Sequence, residues 1–367
     1  MFIEMIDRNV LLKPLQTVVG IVERKQPLPI LSNVLIEKRN AAIRFVATDL
    51  EIQIATIQEM EIDGDIGAVT VSAKKLQEIL RVLPEDSKVS LDLQENKLLI
   101  KANKSRFSLQ TLPAQDFPVI TDQLENSSKI TIKQGLLKKL LGLVQYAMAQ
   151  QDIRYYLNGV LLVIEGNQIR LIATDGHRLA FVNSTLENEY SKHEVILSRK
   201  TVNELSKLLA DSDQEITLEL AEKQVRISFA DIVLTSKVID GKFPDYERVI
   251  PNYTNHLSLD RMTILQALQR AAILSNEKFR GVRFVLTEKN LRIISSNSEQ
   301  EEAQEDIEND YHGPALDIGF NVNYLLDGLN NSPAQAVTFS FGDPNSSILI
   351  TVPGEEEFKY VVMPMRI

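Results

Sequence analysis

The sequence predicts an α+β protein in which one unit is repeated three times along the chain, and three observations predict it. Two amphipathic helical patterns recur at a spacing of about 126 positions, alternating strand patterns follow in step, and Thr48 and Thr174 open a repeated Thr-Asp turn. Solenoid and propeller repeats have periods of roughly 20 to 50 residues, so here whole domains are repeated. The copies run over residues 1–124, 125–251 and 252–367, with polar boundaries at Thr121-Asp122 and Pro251-Asn252. Two helices among many short strands indicate antiparallel sheet with the helices on one face.

The first helix of copy one falls in residues 7–25, where Val10, Leu11, Leu15, Val18, Val19 and Val22 share one face and Asp7 is its entry. Pro14 argues against an unbroken helix, because it lacks an N–H and its ring clashes with the preceding turn. The pattern returns over 133–152 with Leu136, Leu137, Leu140, Leu141 and Val144, and over 260–278 with Ile264, Leu265, Leu268, Ala271 and Ala272. A second helix is predicted over 72–83, where Leu76, Ile79, Leu80 and Leu83 follow the i, i+3, i+4, i+7 rule. Ser72 is its N-cap and Pro84 its stop. Its counterparts occupy 198–209 and 321–329. Alternating strands follow at Val89-Leu93, Ile216-Leu220 and Val337-Phe341, then around Ile100, Ile227 and Ile348. Each copy closes on an extended segment, over 107–111, 234–238 and 358–363.

Ala47-Thr48-Asp49-Leu50-Glu51 and Ala173-Thr174-Asp175-Gly176-His177-Arg178-Leu179 each follow a strand-like apolar run, so each reads as the turn of a hairpin arm. Only the second carries Gly-His-Arg: a flexible backbone, an amphipathic ring and a cation beside an apolar residue. That combination suits a binding groove. As a catalytic pair, Asp175 and His177 lack a Gly-x-Ser-x-Gly, a second histidine or a phosphate loop, so an enzyme is not expected.

Composition narrows the field. With 367 residues, 44% of them hydrophobic, the chain can build ordinary cores. There is no cysteine, which excludes disulfides, thiolate metal sites and thiol nucleophiles, and the four histidines show no ligand spacing. No cofactor or metal is expected. The start lacks a basic segment followed by an apolar core, and no run of about 18 apolar residues occurs, so the expected location is cytoplasmic, with no membrane partner.

A formal charge of −10 argues against tight binding of nucleic acid over the whole surface. Positive charge nevertheless gathers on the helical patterns of copies one and two: Arg8, Lys13, Arg24, Lys25, Lys74, Lys75, Arg81, Lys133, Lys138, Lys139, Arg199, Lys200 and Lys207. The opposite feature is the acidic run 299–310, which reads as a solvated loop, a weak divalent-metal loop without EF-hand spacing, or an acidic strand edge. As an edge it could select a basic partner edge, which Lys101, Lys104 and Arg106 beside Phe107 and Leu109 offer. Repeated domains joined head to tail either continue as a filament or close as a ring of two or three chains.

Five motifs, in order, carry a resemblance: Arg154-Tyr155-Tyr156-Leu157-Asn158-Gly159, the 173–180 stretch, Gly241-Lys242-Phe243-Pro244-Asp245-Tyr246, the 271–282 stretch and Tyr360-Val361-Val362-Met363-Pro364-Met365-Arg366. Together they resemble the bacterial sliding clamp, the beta subunit of DNA polymerase III, over the whole chain. The resemblance implies a DNA clamp fold with three similar domains, and a head-to-tail homodimeric ring with helices lining the hole and antiparallel sheets outside.

The implied function is a non-catalytic processivity factor that encircles duplex DNA. Its implied partners are the replicative DNA polymerase catalytic subunit, the clamp loader complex, and other DNA polymerases and repair proteins carrying a clamp-binding peptide with glutamine and paired hydrophobic residues. The groove implied for that peptide, between copies two and three, comprises Leu157, Thr174, Gly176, His177, Arg178, Leu179, Pro244, Arg248, Val249, Phe279, Asn321, Tyr324, Ser347, Val361, Met363, Pro364, Met365 and Arg366. Implied DNA contacts are Lys25, Gln151, Tyr155 and Tyr156. The implied chain-to-chain joint packs Phe107 and Leu109 against Ile273 and Leu274, with Lys104 and Arg106 facing Glu299, Glu301, Glu302 or Glu305. Asn345 departs from the pattern, standing where the family often has an aliphatic groove residue. Two other readings belong to different classes: a hydrolase centred on Asp175 and His177, and a protein-binding scaffold of the same fold that is never loaded on DNA.

Overall fold

The computed structural model describes residues 3–23, 28–39, 42–59, 67–120, 124, 126–353 and 355–366. Six helices carry the repeated amphipathic patterns: α1 (Arg8–Val19), α2 (Ala73–Val82), α3 (Gln134–Val144), α4 (Arg199–Leu208), α5 (Arg261–Ile273) and α6 (Val322–Asn331). Asp7 caps α1 by accepting from the Asn9 N–H at 2.9 Å, Asp260 caps α5 by accepting from Thr263, and Asn321 caps α6 by accepting from Asn323. Ser72 precedes α2 but makes no such hydrogen bond, contrary to expectation. Pro14 lies inside α1 without ending it, a second correction. Pro14 is itself buried, as are Leu11, Leu15 and Val18 of the same helix, so packing of the apolar face outweighs one missing backbone hydrogen bond.

The chain divides into two compact units, residues 1–136 with 203–238 and residues 137–202 with 239–367. In the first unit one antiparallel series runs through strands Gly67–Ser72, Asn33–Arg39, Ala42–Thr48, Ile52–Glu59, Ile232–Ile239, Gln224–Phe229, Glu215–Leu220 and Ser128–Lys133. Strands Ile3–Asp7, Lys88–Gln94, Lys97–Ala102 and Ser105–Leu112 form a second series, joined to the first where Thr70 and Val71 pair with Leu112 and Thr111. Helices α1 and α2 pack together, and the buried Arg8 guanidinium donates to the Leu83 carbonyl at 2.7 Å, tying one to the end of the other. Arg8 therefore leaves the set of basic residues available to a solvent face.

In the second unit a long hairpin, Gly159–Thr174 and Arg178–Ser198, extends through Glu355–Val362, Ile348–Val352, Ala336–Phe341 and Asn255–Asp260. A separate four-stranded sheet runs Glu302–Glu308, Asn290–Ser296, Gly281–Thr287, Leu316–Asn321. The acidic run of the sequence is thus a strand, and among the described residues it pairs only with Asn290–Ser296, leaving it an edge. Helices α5 and α6 pack together in this unit.

One pairing repeats. The arm after the copy-one turn, Ile52 to Thr56, pairs with the closing strand of copy two, Ser236 to Ile232. The arm after the copy-two turn, Arg178 to Val182, pairs with the closing strand of copy three, Val362 to Phe358. The repetition thus extends to how each copy is sewn to the next.

Candidate functional site

The two Thr-Asp turns have one design. Thr48 donates its hydroxyl to the Ile52 carbonyl and accepts from the Leu50 N–H, while Asp49 accepts from the Glu51 and Ile52 N–H groups. In copy two, Thr174 donates to the Arg178 carbonyl at 2.6 Å and accepts from Gly176, while Asp175 Oδ1 accepts from His177 and Arg178. The residue after Asp takes positive φ in both, Leu50 at +79° and Gly176 at +89°. A longer, related turn appears at Asn297, which accepts from the Glu299 and Glu301 N–H groups, with the positive φ displaced to Gln300 at +65°. Sequence reading missed it because asparagine replaces the Thr-Asp pair.

The copy-two turn forms one wall of a cavity of about 300 Å³, lined mostly by apolar atoms. Of the residues expected in a groove, Leu157, Thr174, Gly176, His177, Arg178, Leu179, Pro244, Val249, Val361 and Met363 line it. Below it lies a core cluster including Leu161, Val163, Ile172, Leu179, Ile196 and Val361, which fixes the floor. Arg154, Tyr156, Phe243 and Tyr246 also line it, without having been expected there. For Phe243 and Tyr246 a signal existed in the sequence: two aromatics three apart around Pro244. Arg154 had none, since only folding lays its guanidinium over Gly176.

Arg248, Phe279, Asn321, Tyr324, Ser347, Pro364, Met365 and Arg366 are not among the cavity's lining residues. Arg248 is exposed and pairs with Asp245 at 2.8 Å. Phe279 is 57% exposed, with the Lys278 ammonium 5.4 Å from its ring. Tyr324 stacks on the lining residue His177 with ring centroids 6.3 Å apart. Asn321 caps α6, and the Ser347 carbonyl accepts from the Tyr253 hydroxyl at 2.7 Å. The tail is stitched on both sides of Pro364, by Met363 N–H to the His177 carbonyl and Met365 N–H to the Gly319 carbonyl. Asn345 sits exposed in a turn held by Asp343.

The loop 150–158 adjoins the cavity and is tightly tied. Asp152 takes two hydrogen bonds from the Arg154 side chain, at 3.0 and 2.8 Å, and one from the Arg154 backbone, at 2.8 Å. These hold the Asp152 carboxyl down at about 2. Arg154 also donates to the Asp175 carbonyl at 3.2 Å, linking loop to turn. Gln151, at φ +53°, and Tyr155, 57% exposed, stand on the outside, whereas Tyr156 packs partly on the core cluster. Lys25, the fourth expected DNA contact, lies outside the described residues, as does Arg24.

No catalytic arrangement involves Asp175 and His177. Both Asp175 oxygens serve the turn and Arg178, and the His177 ring is stacked on Tyr324. Among the described residues no group of three or more His, Asp or Glu is placed to hold a metal, and no helix is long and apolar enough to cross a membrane.

At the expected chain-to-chain joint, Lys104 and Arg106 are exposed and Phe107 and Leu109 half-buried on strand Ser105–Leu112. Ile273, 76% exposed, ends α5, and Leu274 is its half-buried C-cap. Of the acids, Glu305 is taken by Arg270 in a two-pronged pair at 2.8 and 2.6 Å, and Glu301 accepts from Asn297. Glu299 and Glu302 are exposed.

Paired helices with antiparallel sheet, repeated along one chain, place it among the DNA clamp folds. Profiles described as the N-terminal, central and C-terminal domains of the DNA polymerase III beta subunit match residues 1–121, 131–245 and 247–366. The beta sliding clamp of Pseudomonas putida is 44% identical over 99% of both chains, and that of Escherichia coli is 41% identical over the same shares. A solved structure of the Pseudomonas aeruginosa sliding clamp bound to griselimycin is 44% identical, covers 99% of each chain and superposes with a TM-score of 0.95. The chain belongs to the DNA polymerase III beta subunit family, the bacterial sliding clamps, which are non-catalytic processivity factors.

Proposed function

We propose that this clamp acts in the cytoplasm as a head-to-tail homodimer that encircles duplex DNA and tethers partners through the groove beside the 173–179 turn. Three domains over 1–124, 125–251 and 252–367 make each chain half of the ring. The observation that carries this reading is the sewing pattern. The arms of copies one and two each take the closing strand of the next copy, and the same elements of the outermost copies are left open. The open arm is Glu302–Glu308, and the open closing strand is the 105–110 part of Ser105–Leu112, which among the described residues pairs only with Lys97–Ala102. One edge is acidic and the other follows Lys104 and contains Arg106, so a second chain completes both joints with complementary charge. Phe107 and Leu109 would meet Ile273 and Leu274 there, with Glu299, Glu301 and Glu302 nearest the bases. Glu305 contributes through its pairing with Arg270.

A topological link suits a chain of charge −10, since it holds DNA without many phosphate contacts, and weak contacts permit sliding. Lys25, Gln151, Tyr155 and Tyr156 would supply such contacts. The groove would hold the peptides of the polymerase catalytic subunit, the clamp loader, and other polymerases and repair proteins, raising their local concentration at the template. Its turn residues, with Pro244, Val249, Val361 and Met363, form the inner pocket. Arg248, Phe279, Asn321, Tyr324, Ser347, Pro364, Met365 and Arg366 would belong to its outer margin. A methionine-containing wall accommodates several related sequences.

The test is retention of labelled protein on nicked circular DNA after loading by a clamp loader with ATP. Cutting the circle should release the protein. Equal retention on linear and circular DNA would instead mean binding by affinity, and would refute encirclement.

A further inference from the structure

Arg178 lines the groove, yet its charge is already engaged within the chain. Nε donates to Asp175 Oδ2 at 3.1 Å, Nη1 to Asp327 Oδ2 at 2.5 Å, and Nη2 to the Tyr146 carbonyl at 2.7 Å. The guanidinium carbon lies 4.6 Å from the centroid of Tyr324 and 5.8 Å from that of Tyr146. The side chain is only 10% exposed. Burial alone would lower the pKa of Arg178, but the surrounding tyrosine and carboxylate groups outweigh it and the net shift is upward. Two carboxylates already face this one cation, and each of its three nitrogens donates to an acceptor within the chain, so an acidic partner would compete with them for the charge.

Its backbone does the work at the groove. The Arg178 carbonyl accepts from Thr174, and its N–H donates to Asp175, so the side chain anchors from behind the turn that presents Gly176 and His177. The anchor is α6, which carries both Tyr324 and Asp327. That helix is itself fixed: the buried Tyr360 hydroxyl donates to the Tyr324 carbonyl at 2.8 Å. Gly328 lies so close to Tyr360 that a Cβ would fall 2.5 Å from its ring.

We propose that Asp327, which does not line the cavity, is a positioning residue for the groove, acting through Arg178 and the His177–Tyr324 stack. The proposal rests on the peptide-groove reading for its binding consequence alone. Removing one partner of a charged hydrogen bond should cost on the order of tenfold in affinity.

The test uses the full-length chain and two labelled synthetic peptides, each with one glutamine and paired leucine and phenylalanine residues, one neutral and one with an added aspartate. Asp327→Asn and Arg178→Lys should each weaken both peptides by the same factor, at unchanged salt dependence. The double variant should bind within about twofold of Arg178→Lys, because the two residues act as one unit. In the free protein, Asp327→Asn should shift the His177 ring-proton resonance as its stack on Tyr324 loosens. Arg178→Lys weakening only the aspartate peptide, with a flatter salt dependence, would make Arg178 a contact cation and overturn the proposal. Unchanged binding and an unchanged His177 resonance in Asp327→Asn would overturn it too. Should neither peptide bind the unaltered chain, the peptide reading falls, and the His177 resonance alone decides whether Asp327 positions the turn.

Discussion

Gly176 concentrates several constraints in one residue. Its φ of +89° is a conformation that other residues enter at a cost, and a Cβ there would lie 2.9 Å from the Arg154 guanidinium. Leu50 shows that a side chain can occupy the equivalent place in copy one, at φ +79° and 37% exposed. The difference is the neighbour: at position 176 a methyl group would displace Arg154, and with it the link to Asp175. Gly176→Ala should therefore lower stability by about 1–2 kcal/mol, from the left-handed conformation. It should also weaken peptide binding, as measured by urea unfolding and fluorescence anisotropy. Lowered stability with unaltered binding would mean that Arg154 swings aside freely, and unaltered stability would mean that the turn does not hold position 176 at positive φ in solution.

At the scale of an element, the 150–158 loop shows how a short irregular segment can be rigid. Asp152 receives three hydrogen bonds from Arg154, and Asn158 closes the loop by donating to the Asp152 carbonyl at 2.9 Å while accepting from the Asp152 N–H at 3.0 Å. Because the folded pKa of Asp152 is depressed to about 2, its contribution is complete above the ordinary carboxylate value of about 3.9. The contribution is lost as pH falls through about 2. The Arg154 Nε–H resonance should hence stay constant above about pH 4 and move only below it. A midpoint at the ordinary carboxylate value would show that the pair does not hold in solution. Helix ends show a related limit of local signals. Asp7, Asp260 and Asn321 cap as their chemistry suggests, but Ser72 does not, since its side chain makes no hydrogen bond to the helix start.

At the scale of the molecule, the proposed assembly joins the two open edges. Leu274 closes α5 beside the exposed Ile273, and on the proposed joint both face Phe107 and Leu109 of a second chain. Leu274→Ala removes apolar area from the centre of a small interface, which should cost about 2 kcal/mol or more of dimer stability. Sedimentation velocity across a dilution series would then find the monomer appearing at higher concentration than for the unaltered chain. The same dimer persisting at every dilution would place the joint elsewhere.

The sequence by itself determined the repetition, the helix faces, the strand alternation and the special character of residues 173–179, because period and turn chemistry are local properties that survive in one dimension. It also supplied ten of the residues that line the cavity, through motifs whose order along the chain was distinctive. Only the tertiary structure decided the rest. Pro14 stayed within a helix because burial outweighed local propensity, and the acidic run became an edge strand because Asn290–Ser296 offered it a partner on one side. In the sequence Arg8 reads as a basic helix residue and Arg178 as a groove cation, yet one is spent on the Leu83 carbonyl and the other on Asp175, Asp327 and Tyr146. The partners of a side chain lie far along the chain, 149 positions for Arg178 and Asp327, and no local pattern encodes a contact at that range.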